Sequence, residues 1–167
     1  VANEHENFTL FEPYQAEALD KNNQLIAKLR HAITLDELFL VFQPQLHLES
    51  NTVVGVETLV RWRHQGNIVS PVDFIPLAER SGLIVEIGQW ILHQACLFAK
   101  TLVDNGYVDI VVAVNVSPRQ FSHPQFCYSV EQALQSSGLP AKNLELEITE
   151  GVFMHNELNT IALLTQL

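Results

Sequence analysis

Residues 55–62 read GVETLVRW, an apolar strand that carries a carboxylate at Glu57 near its middle. Two further apolar runs repeat the pattern, because VVAVNVS contains Asn115 and LELEITE contains Glu147. Strands rich in Val, Leu and Ile bury both faces, so a polar group within them is costly unless a partner compensates it. A bound metal ion would provide that compensation.

The two-residue period of a strand sorts these side chains onto opposite faces. Glu57 shares its face with Leu59 and Arg61, whereas Thr58 points to the other side. The same alternation places Asn115 and Glu147 on the partly polar faces of their own strands. Each strand therefore has an apolar side for helices and a partly polar side, and the polar sides can converge.

Cap and turn signals divide the rest of the chain into alternating elements. Two β-rich runs separated by a short polar stretch predict an antiparallel hairpin. Later strands alternate with helices, which predicts an α/β fold with a largely parallel sheet. Ser70, Pro71 and Asp73 predict a helix start with a variant capping box. The predicted strands are 38–48, 53–62, 110–116 and 144–149; the predicted helices begin near 14, 70, 85, 124 and 156.

Charge and cysteine content limit the classes of function. The net charge of −10, from 19 acidic and 9 basic residues, argues against binding to DNA or RNA, though a few arginines and a cation can still hold a small nucleotide. Cys96 and Cys127 lack metal-ligand spacing, which favours buried, reduced thiols. No secretion signal or continuous membrane-spanning segment is visible, so we expect a cytoplasmic protein whose parent can be anchored through an upstream segment.

Six segments together resemble the EAL domain family of cyclic di-GMP phosphodiesterases, from about residue 25 to residue 167. They are LRHAI before the first strand, FQPQ at 42–45, GVETLVRW at 55–62, DFIPLAERSG at 73–82, NVSPRQF at 115–121 and LELEITE at 144–150. Each segment alone is a weak signal, but six in the family's order and approximate spacing are a strong one. The resemblance implies a modified, TIM-like (β/α)8 barrel with an antiparallel first strand pair.

The resemblance also implies the chemistry of the site. It implies that Glu57, Asn115 and Glu147 bind Mg2+ or Mn2+. Glu57 and Glu150 are the expected catalytic residues, and Glu150 resembles a glutamate that steadies a loop at the metal site. Without the family pattern, Asn115 could be a turn cap and Glu147 an exposed edge residue.

Three further residues match the family's substrate groove. The resemblance implies that Arg61 contacts a phosphate of cyclic di-GMP, that Leu59 packs near a guanine, and that Gln43 lies at the groove. Taken alone, Arg61 could form a structural ion pair with Glu57. Leu59 and Gln43 could equally be packing residues.

The sequence departs from the family in two ways. Thr58 replaces the usual alanine of the signature triplet, but it points away from Glu57. The chain also ends at Leu167, before the strand that supplies the family's pair of aspartates. We therefore expect residues 25–167 to be an incomplete EAL domain, ending after about the fourth strand and its helix. The alternative is a degenerate EAL domain that is a non-catalytic receptor for cyclic di-GMP or a protein-interaction module.

The leading residues 1–24 resemble a linker helix that follows an upstream domain, either a sensory domain or one of the diguanylate-cyclase (GGDEF) type. Such an arrangement is typical of second-messenger signal transduction in bacteria. We expect the parent protein to be a phosphoric diester hydrolase. The present chain is expected to hold ligands for about one of the two metals.

An incomplete barrel would expose unpaired strand edges and the inner apolar face, so residues 1–167 are expected to self-associate. A two-fold contact is the commonest closed arrangement for such a surface. Sedimentation at micromolar concentration measures this directly. A stable, well-folded monomer would contradict the expectation.

Overall fold

The computed structural model of the protein describes residues 13–148 and 157–167. Its strands are β1 (Leu38–His47), β2 (Thr52–His64), β3 (Asn67–Val69), β4 (Val111–Val116) and β5 (Leu144–Ile148). Its helices are α1 (Pro13–Leu29), α2 (Pro71–Ser81), α3 (Leu83–Asp104), α4 (Pro118–Phe121), α5 (Phe126–Ser137) and α6 (Glu157–Gln166). Within this part of the chain the strands form one sheet in the order β1-β2-β4-β5, and β3 pairs with β2.

β1 and β2 form the antiparallel hairpin that the sequence predicted, with Gln43 opposite Glu57. Asn51 in the connecting turn has a φ of 52°, a conformation that asparagine tolerates better than most side chains. The register shifts between Gln45 and Leu46, which marks a β-bulge close to the turn. The hairpin places β2 inside the sheet and leaves β1 at its edge.

β2 continues two residues beyond its predicted end at Trp62 and then turns back into β3. Gln65 and Gly66 have φ values of 50° and 79°, the pair of positive angles found in a two-residue hairpin turn. β3 was not predicted, because a strand of only three residues shows no alternation in the sequence. The glycine at the second turn position was the available signal.

β4 lies between β2 and β5 and pairs in parallel with both strands. In this register Glu57 is opposite Ala113, and Asn115 is opposite Glu147. The α/β class, the antiparallel first pair and the parallel strands after it are therefore confirmed. The pairing of β2 with β4 ends at Thr58, so the rest of β2 diverges from β4.

The hydrophobic core lies on the helix side of the sheet. The even-numbered residues of β2 from Val56 to Trp62 are buried, whereas Glu57, Leu59 and Arg61 are half-buried. Trp62 packs edge-to-face on Phe74 of α2, with ring centroids 5.6 Å apart. α3 contributes a buried stripe formed by Ile84, Ile87, Leu92, Ala95, Cys96 and Ala99. The predicted alternation of the two faces is confirmed.

Both cysteines are free thiols, as the sequence predicted, but the prediction that both are buried holds only for Cys96, because Cys127 is half-buried. Cys96 is fully buried, and burial raises the pKa of its thiol to about 11. The thiolate is the reactive form of cysteine, so this side chain is an inert part of the core.

The ends of α2 follow the sequence signals only in part. Pro71 occupies the first helical turn after Ser70, as predicted, but the Ser70 side chain makes no capping hydrogen bond. The predicted capping box is therefore absent, and the Asp73 N–H donates to the Ser70 carbonyl oxygen instead, at 2.9 Å. Gly82 ends α2 with a φ of 84°, and α3 begins at the next residue rather than at residue 85.

A short helix, α4, follows β4 and was not predicted. The Ser117 hydroxyl accepts a hydrogen bond from the Gln120 N–H at 3.1 Å and caps this helix. The side chain of Arg119 donates to the carbonyl oxygens of Glu79 and Arg80, at 2.9 and 3.2 Å. These carbonyls lie in the last turn of α2, so α4 is fastened to the junction of α2 and α3.

The end of β2 is held by Glu37, which lies just before β1. The Glu37 carboxylate accepts hydrogen bonds from Trp62 Nε1 at 2.9 Å and from His64 Nδ1 at 3.0 Å. The bond from Trp62, more than the neighbouring His64, lowers the pKa of Glu37 below its ordinary value of 4.5 despite partial burial. The Glu37 carbonyl oxygen also accepts from the Arg63 N–H at 2.8 Å. Glu37 thus fixes the part of β2 that no longer pairs with β4.

In the described residues, no helix is by itself long and apolar enough to cross a membrane. Taken together, α2 and α3 are long and apolar enough to cross a membrane. The two helices are bent by 117° at the break between them, and only their length and composition meet the requirement.

We predict that Glu37→Ala lowers the free energy of unfolding by about 1–3 kcal/mol, because the buried Trp62 N–H loses its acceptor. Glu37→Gln keeps an acceptor oxygen but removes the charge, so it separates the two effects. A lowered carboxyl pKa stabilises the folded protein above the unfolded value, and this stabilisation is lost as the pH falls through the folded value.

The stability difference between wild type and Glu37→Gln should therefore close as the pH falls below about 4.5, the ordinary value of this carboxyl. Urea unfolding between pH 7 and pH 3 measures it. Glu49→Gln, in the exposed hairpin turn, is the control and should show no such trend. A difference for Glu37→Gln that is constant with pH would contradict the role of the charge.

Candidate functional site

A row of polar side chains crosses the sheet on the face opposite the core. Gln43, Glu57 and Glu147 come from β1, β2 and β5, and Asn115 comes from β4 between them. Gln43 and Asn115 are exposed, whereas Glu57 and Glu147 are half-buried. Strand pairing therefore brings together residues that are up to 104 positions apart in the sequence.

Glu57 and Asn115 are joined directly. The Asn115 Nδ2 atom donates a hydrogen bond to Glu57 Oε1 at 2.8 Å. This hydrogen bond orients both side chains. It uses the Asn115 Nδ2 atom, so the amide oxygen Oδ1 is not engaged by Glu57. Among the described residues, that oxygen accepts no hydrogen bond, so it remains available to a ligand.

The site has an excess of negative charge. The pKa of Glu147 is raised above its ordinary value of 4.5, first by burial and then by the neighbouring carboxylates of Glu57 and Glu145. A divalent cation at this position would relieve both effects, because it replaces lost hydration and neutralises the carboxylates.

The donor atoms fit a hard cation. Two carboxylates and an amide oxygen are the types of ligand that Mg2+ and Mn2+ prefer. Within residues 13–148 and 157–167, no three His, Cys, Asp or Glu side chains cluster as a potential metal site. The described residues therefore supply only part of a coordination shell.

Arg61 lies on the same face of β2, four residues beyond Glu57. Its Nη1 atom donates to the carbonyl oxygen of Val60 at 2.9 Å. The ion pairs in the described part of the chain do not include Arg61, so the alternative of a structural pair with Glu57 is not observed. Among the residues that the structure describes, the guanidinium group has no carboxylate partner, so it can bind an anion.

A cavity of about 480 Å3 opens where β2 diverges from β4. Leu59, Arg61 and Asn115 line it on the site side, and Ile87 of α3 lines it on the core side. Gln120 of α4 also lines this cavity, and the sequence analysis did not select that residue. No local signal in the sequence marks this residue, because its burial depends on the packing of α4 against α3.

Glu150, the second expected catalytic residue, lies outside the described residues, as does Thr149 at the predicted end of β5. Gln43, Leu59 and Arg61 lie on the same face of β1 and β2 as Glu57, and Asn115 and Glu147 lie on β4 and β5.

Comparison with known proteins identifies relatives of this chain. The EAL domain family matches residues 26–167. The bifunctional diguanylate cyclase/cyclic di-GMP phosphodiesterase MucR of Pseudomonas aeruginosa is 39% identical over 145 residues, which are 86% of this chain and 21% of MucR. The cyclic di-GMP phosphodiesterase NbdA of the same organism is 40% identical over 146 residues, covering 86% of this chain and 18% of NbdA. The chain thus spans about a fifth of the length of these relatives.

Solved structures show the same likeness. The structure of the MucR phosphodiesterase in complex with cyclic di-GMP has a TM-score of 0.82, covering 86% of this chain and 58% of that chain, at 39% identity. The EAL enzyme Bd1971, in its cGMP-bound form, has a TM-score of 0.83 at 31% identity, covering 92% of this chain and 43% of that chain.

We predict that Glu147→Gln raises the midpoint of thermal unfolding of the metal-free protein at pH 7.5, by on the order of 2 °C. A carboxyl whose pKa is raised by folding destabilises the folded protein when it is charged. The glutamine variant should therefore be more stable than the wild type at pH values above the folded pKa. It should disappear as the pH falls toward 4.5, the ordinary value of this group.

Calorimetry in the presence of EDTA measures these midpoints, and Glu49→Gln again provides the control at an exposed position. A lower midpoint for Glu147→Gln at pH 7.5 would show that this carboxylate stabilises the metal-free fold.

Proposed function

Because the chain belongs to the EAL domain family, we propose that it forms part of a phosphodiesterase domain that hydrolyses cyclic di-GMP to linear pGpG. The observation that carries this proposal is the row of Glu57, Asn115 and Glu147, in which Asn115 is hydrogen-bonded to Glu57 and lies opposite Glu147, with Arg61 on the same face as Glu57. The likeness to the MucR phosphodiesterase in its cyclic di-GMP complex supports the choice of substrate.

Mg2+ or Mn2+ is the proposed cofactor, held by Glu57, Asn115 and Glu147. In two-metal hydrolysis, the cations activate water and stabilise charge on the phosphoryl oxygens. Glu57 has the central position here because it contacts Asn115 and acts electrostatically on Glu147. Loss of its charge should therefore disturb the whole ligand set.

The remaining residues are proposed to bind and orient the substrate. Arg61 holds a phosphate through charge-assisted hydrogen bonds, since its guanidinium has no carboxylate partner in the described structure. Leu59 provides an apolar contact for a base, and Gln43 lies at the end of the polar row. Glu150 is proposed, from the family resemblance, to steady the loop after β5.

The parent protein is proposed to contain further domains. This chain spans about a fifth of MucR, whose name includes a diguanylate cyclase. α1 leads into β1 from the N-terminal side and packs on α2, so it is a suitable connector from a domain of that type. Signals received there would reach the EAL domain through α1.

We predict that Glu57→Gln and Arg61→Ala have different kinetic effects in a protein that contains the complete domain. Glu57→Gln should lower kcat roughly a hundred-fold or more, because a neutral amide is a poor ligand for a hard cation. Arg61→Ala should mainly raise KM, roughly ten-fold or more, because it removes a charge-assisted contact with the substrate.

Steady-state hydrolysis of cyclic di-GMP, followed by chromatography of pGpG, separates these parameters. Arg30→Ala and Glu49→Gln are matched controls at exposed positions and should leave both parameters unchanged. Small, equal effects of the two site variants would support a structural role for both residues. Binding without hydrolysis in the wild type would instead support the non-catalytic receptor.

We further predict that the polypeptide of residues 1–167 does not hydrolyse cyclic di-GMP by itself. The resemblance implies that the second metal is held by the family's aspartate pair, which residues 1–167 do not contain. A protein that contains the complete domain should hydrolyse cyclic di-GMP with Mg2+ or Mn2+ and lose this activity in EDTA. Turnover by 1–167 that Glu57→Gln abolishes would overturn this prediction.

A further inference from the structure

The last residues of β4 are held by strand pairing on one side only. The pairing of β4 with β5 continues to Val116, whereas its pairing with β2 ends at Val114. Asn115 therefore lies beyond the last pair with β2, although its side chain is hydrogen-bonded to Glu57 of that strand. Metal ligands keep their orientation through contacts outside the ligand set, so we looked for such a contact near Asn115.

Arg119 of α4 provides a contact of this kind. Its Nη1 atom donates to the carbonyl oxygens of Glu79 and Arg80, at 2.9 and 3.2 Å. Carbonyls in the last turn of a helix lack partners within the helix, and a positive charge is favourable there. These charge-assisted hydrogen bonds fix Arg119 to α2, and only three residues separate Arg119 from Asn115.

The next residue, Gln120, holds α4 against α3 by packing. Gln120 is 4% exposed, and a Cβ atom at Gly88 of α3 would overlap its side-chain amide. Glycine is unfavourable inside a helix, so this close approach has a cost for α3. The Nε2 atom of Gln120 has no hydrogen-bond partner among the described residues, so its contact with α3 is steric. The hydrogen bonds that fasten α4 to α2 come from Arg119.

We propose that Arg119 is a positioning residue for Asn115, and that its hydrogen bonds to the end of α2 set the affinity of the site for the divalent cation. This inference rests on the proposed function, because Asn115 is one of the proposed metal ligands. Without these bonds, α4 would no longer hold the end of β4 on the side that β2 has left. The Asn115 amide could then turn away from Glu57 and carry its Oδ1 atom out of the ligand set.

Two simpler roles of Arg119 predict different results. If Arg119 only stabilises the junction of α2 and α3, its removal lowers the unfolding midpoint and leaves the metal affinity unchanged. If Arg119 acts only through its charge, its removal strengthens the binding of a cation, because like charges repel. Positioning predicts the opposite sign, which is weaker binding.

The first test uses metal-free residues 1–167, labelled with 15N and kept in EDTA. Arg119→Ala should move the side-chain amide signals of Asn115 toward those of a free asparagine and speed their exchange with solvent. Arg119→Lys keeps the charge but lacks the planar fork, so its effect should be smaller. Val130→Ala, in the buried face of α5, lowers stability away from α4 and should leave these signals unchanged.

The second test measures Mn2+ affinity by calorimetry, without substrate, in a protein that contains the complete domain. Arg119→Ala should raise the Kd about ten-fold, as expected for the loss of a group that orients a metal ligand. Arg119→Lys should give a smaller increase, and Val130→Ala none. The Mn2+ concentration for half-maximal hydrolysis of cyclic di-GMP should rise in parallel with the Kd.

Unchanged or tighter Mn2+ binding by Arg119→Ala would overturn the proposal, as would unchanged signals of Asn115. Equal effects of Arg119→Ala and Val130→Ala would also overturn it, because they would reflect stability alone. Absence of Mn2+ binding by the wild type would do the same. Failure of the proposed function has a different result, since the wild type would then bind Mn2+ without hydrolysing cyclic di-GMP.

Discussion

The register of β4 between β2 and β5 is the constraint on which the rest of the structure depends. Val112 and Val114 of β4 are 0% and 1% exposed on the helix side, while Asn115 faces the opposite side. Because the period of a strand is two, a shift by one residue would put the polar row into the core and the valines into the site. Burial of the valines therefore fixes the position of Asn115 beside Glu57. The site is the reverse face of the hydrophobic core and needs no separate scaffold.

The divergence of β2 from β4 after Thr58 removes strand pairing from the end of β2 and opens a cavity. Beyond this residue β2 loses a neighbouring strand, and its end is held instead by β1, by β3 and by Glu37. These contacts keep Arg61 on the site face although β4 no longer supports it. The space between the diverging strands becomes the cavity, so the hydrogen bonds of Glu37 and the candidate binding surface arise from the same departure from regular pairing.

The sequence predicted the elements that follow from local periodicity. The hairpin, the parallel strands and the two faces of β2 could be inferred because alternation is strict and turn residues separate the runs. β3 and α4 were missed because they contain only three and four residues, too few to show a repeating pattern. The capping box at Ser70 was wrong because the backbone satisfies the Asp73 N–H without the serine hydroxyl.

The residues of the candidate site that lie within strands could also be predicted from local sequence patterns. Polar residues within apolar strands are visible in a sequence, so Glu57, Asn115 and Glu147 could be selected before their proximity was known. Gln120 could not be selected, because the absence of a partner for its amide and its fit against Gly88 exist only in three dimensions. The link from Glu37 to Trp62, across 25 positions, likewise depends on the fold.

The hydrogen bonds from Arg119 to the end of α2 have a consequence for how this chain can vary. Asn115 and Arg119 are separated by only three residues, and Arg119 is tied to carbonyl oxygens about forty positions earlier. An insertion or deletion between Asn115 and Arg119 would change the distance between the two residues. Either Asn115 would leave its position at the end of β4, or Arg119 would lose its hydrogen bonds to the end of α2. The loops at Gly66 and Gly106, where a Cβ atom would meet nothing within 4 Å, carry no such restriction. Length variation among descendants of this sequence should therefore accumulate at those two turns and spare the segment after Asn115.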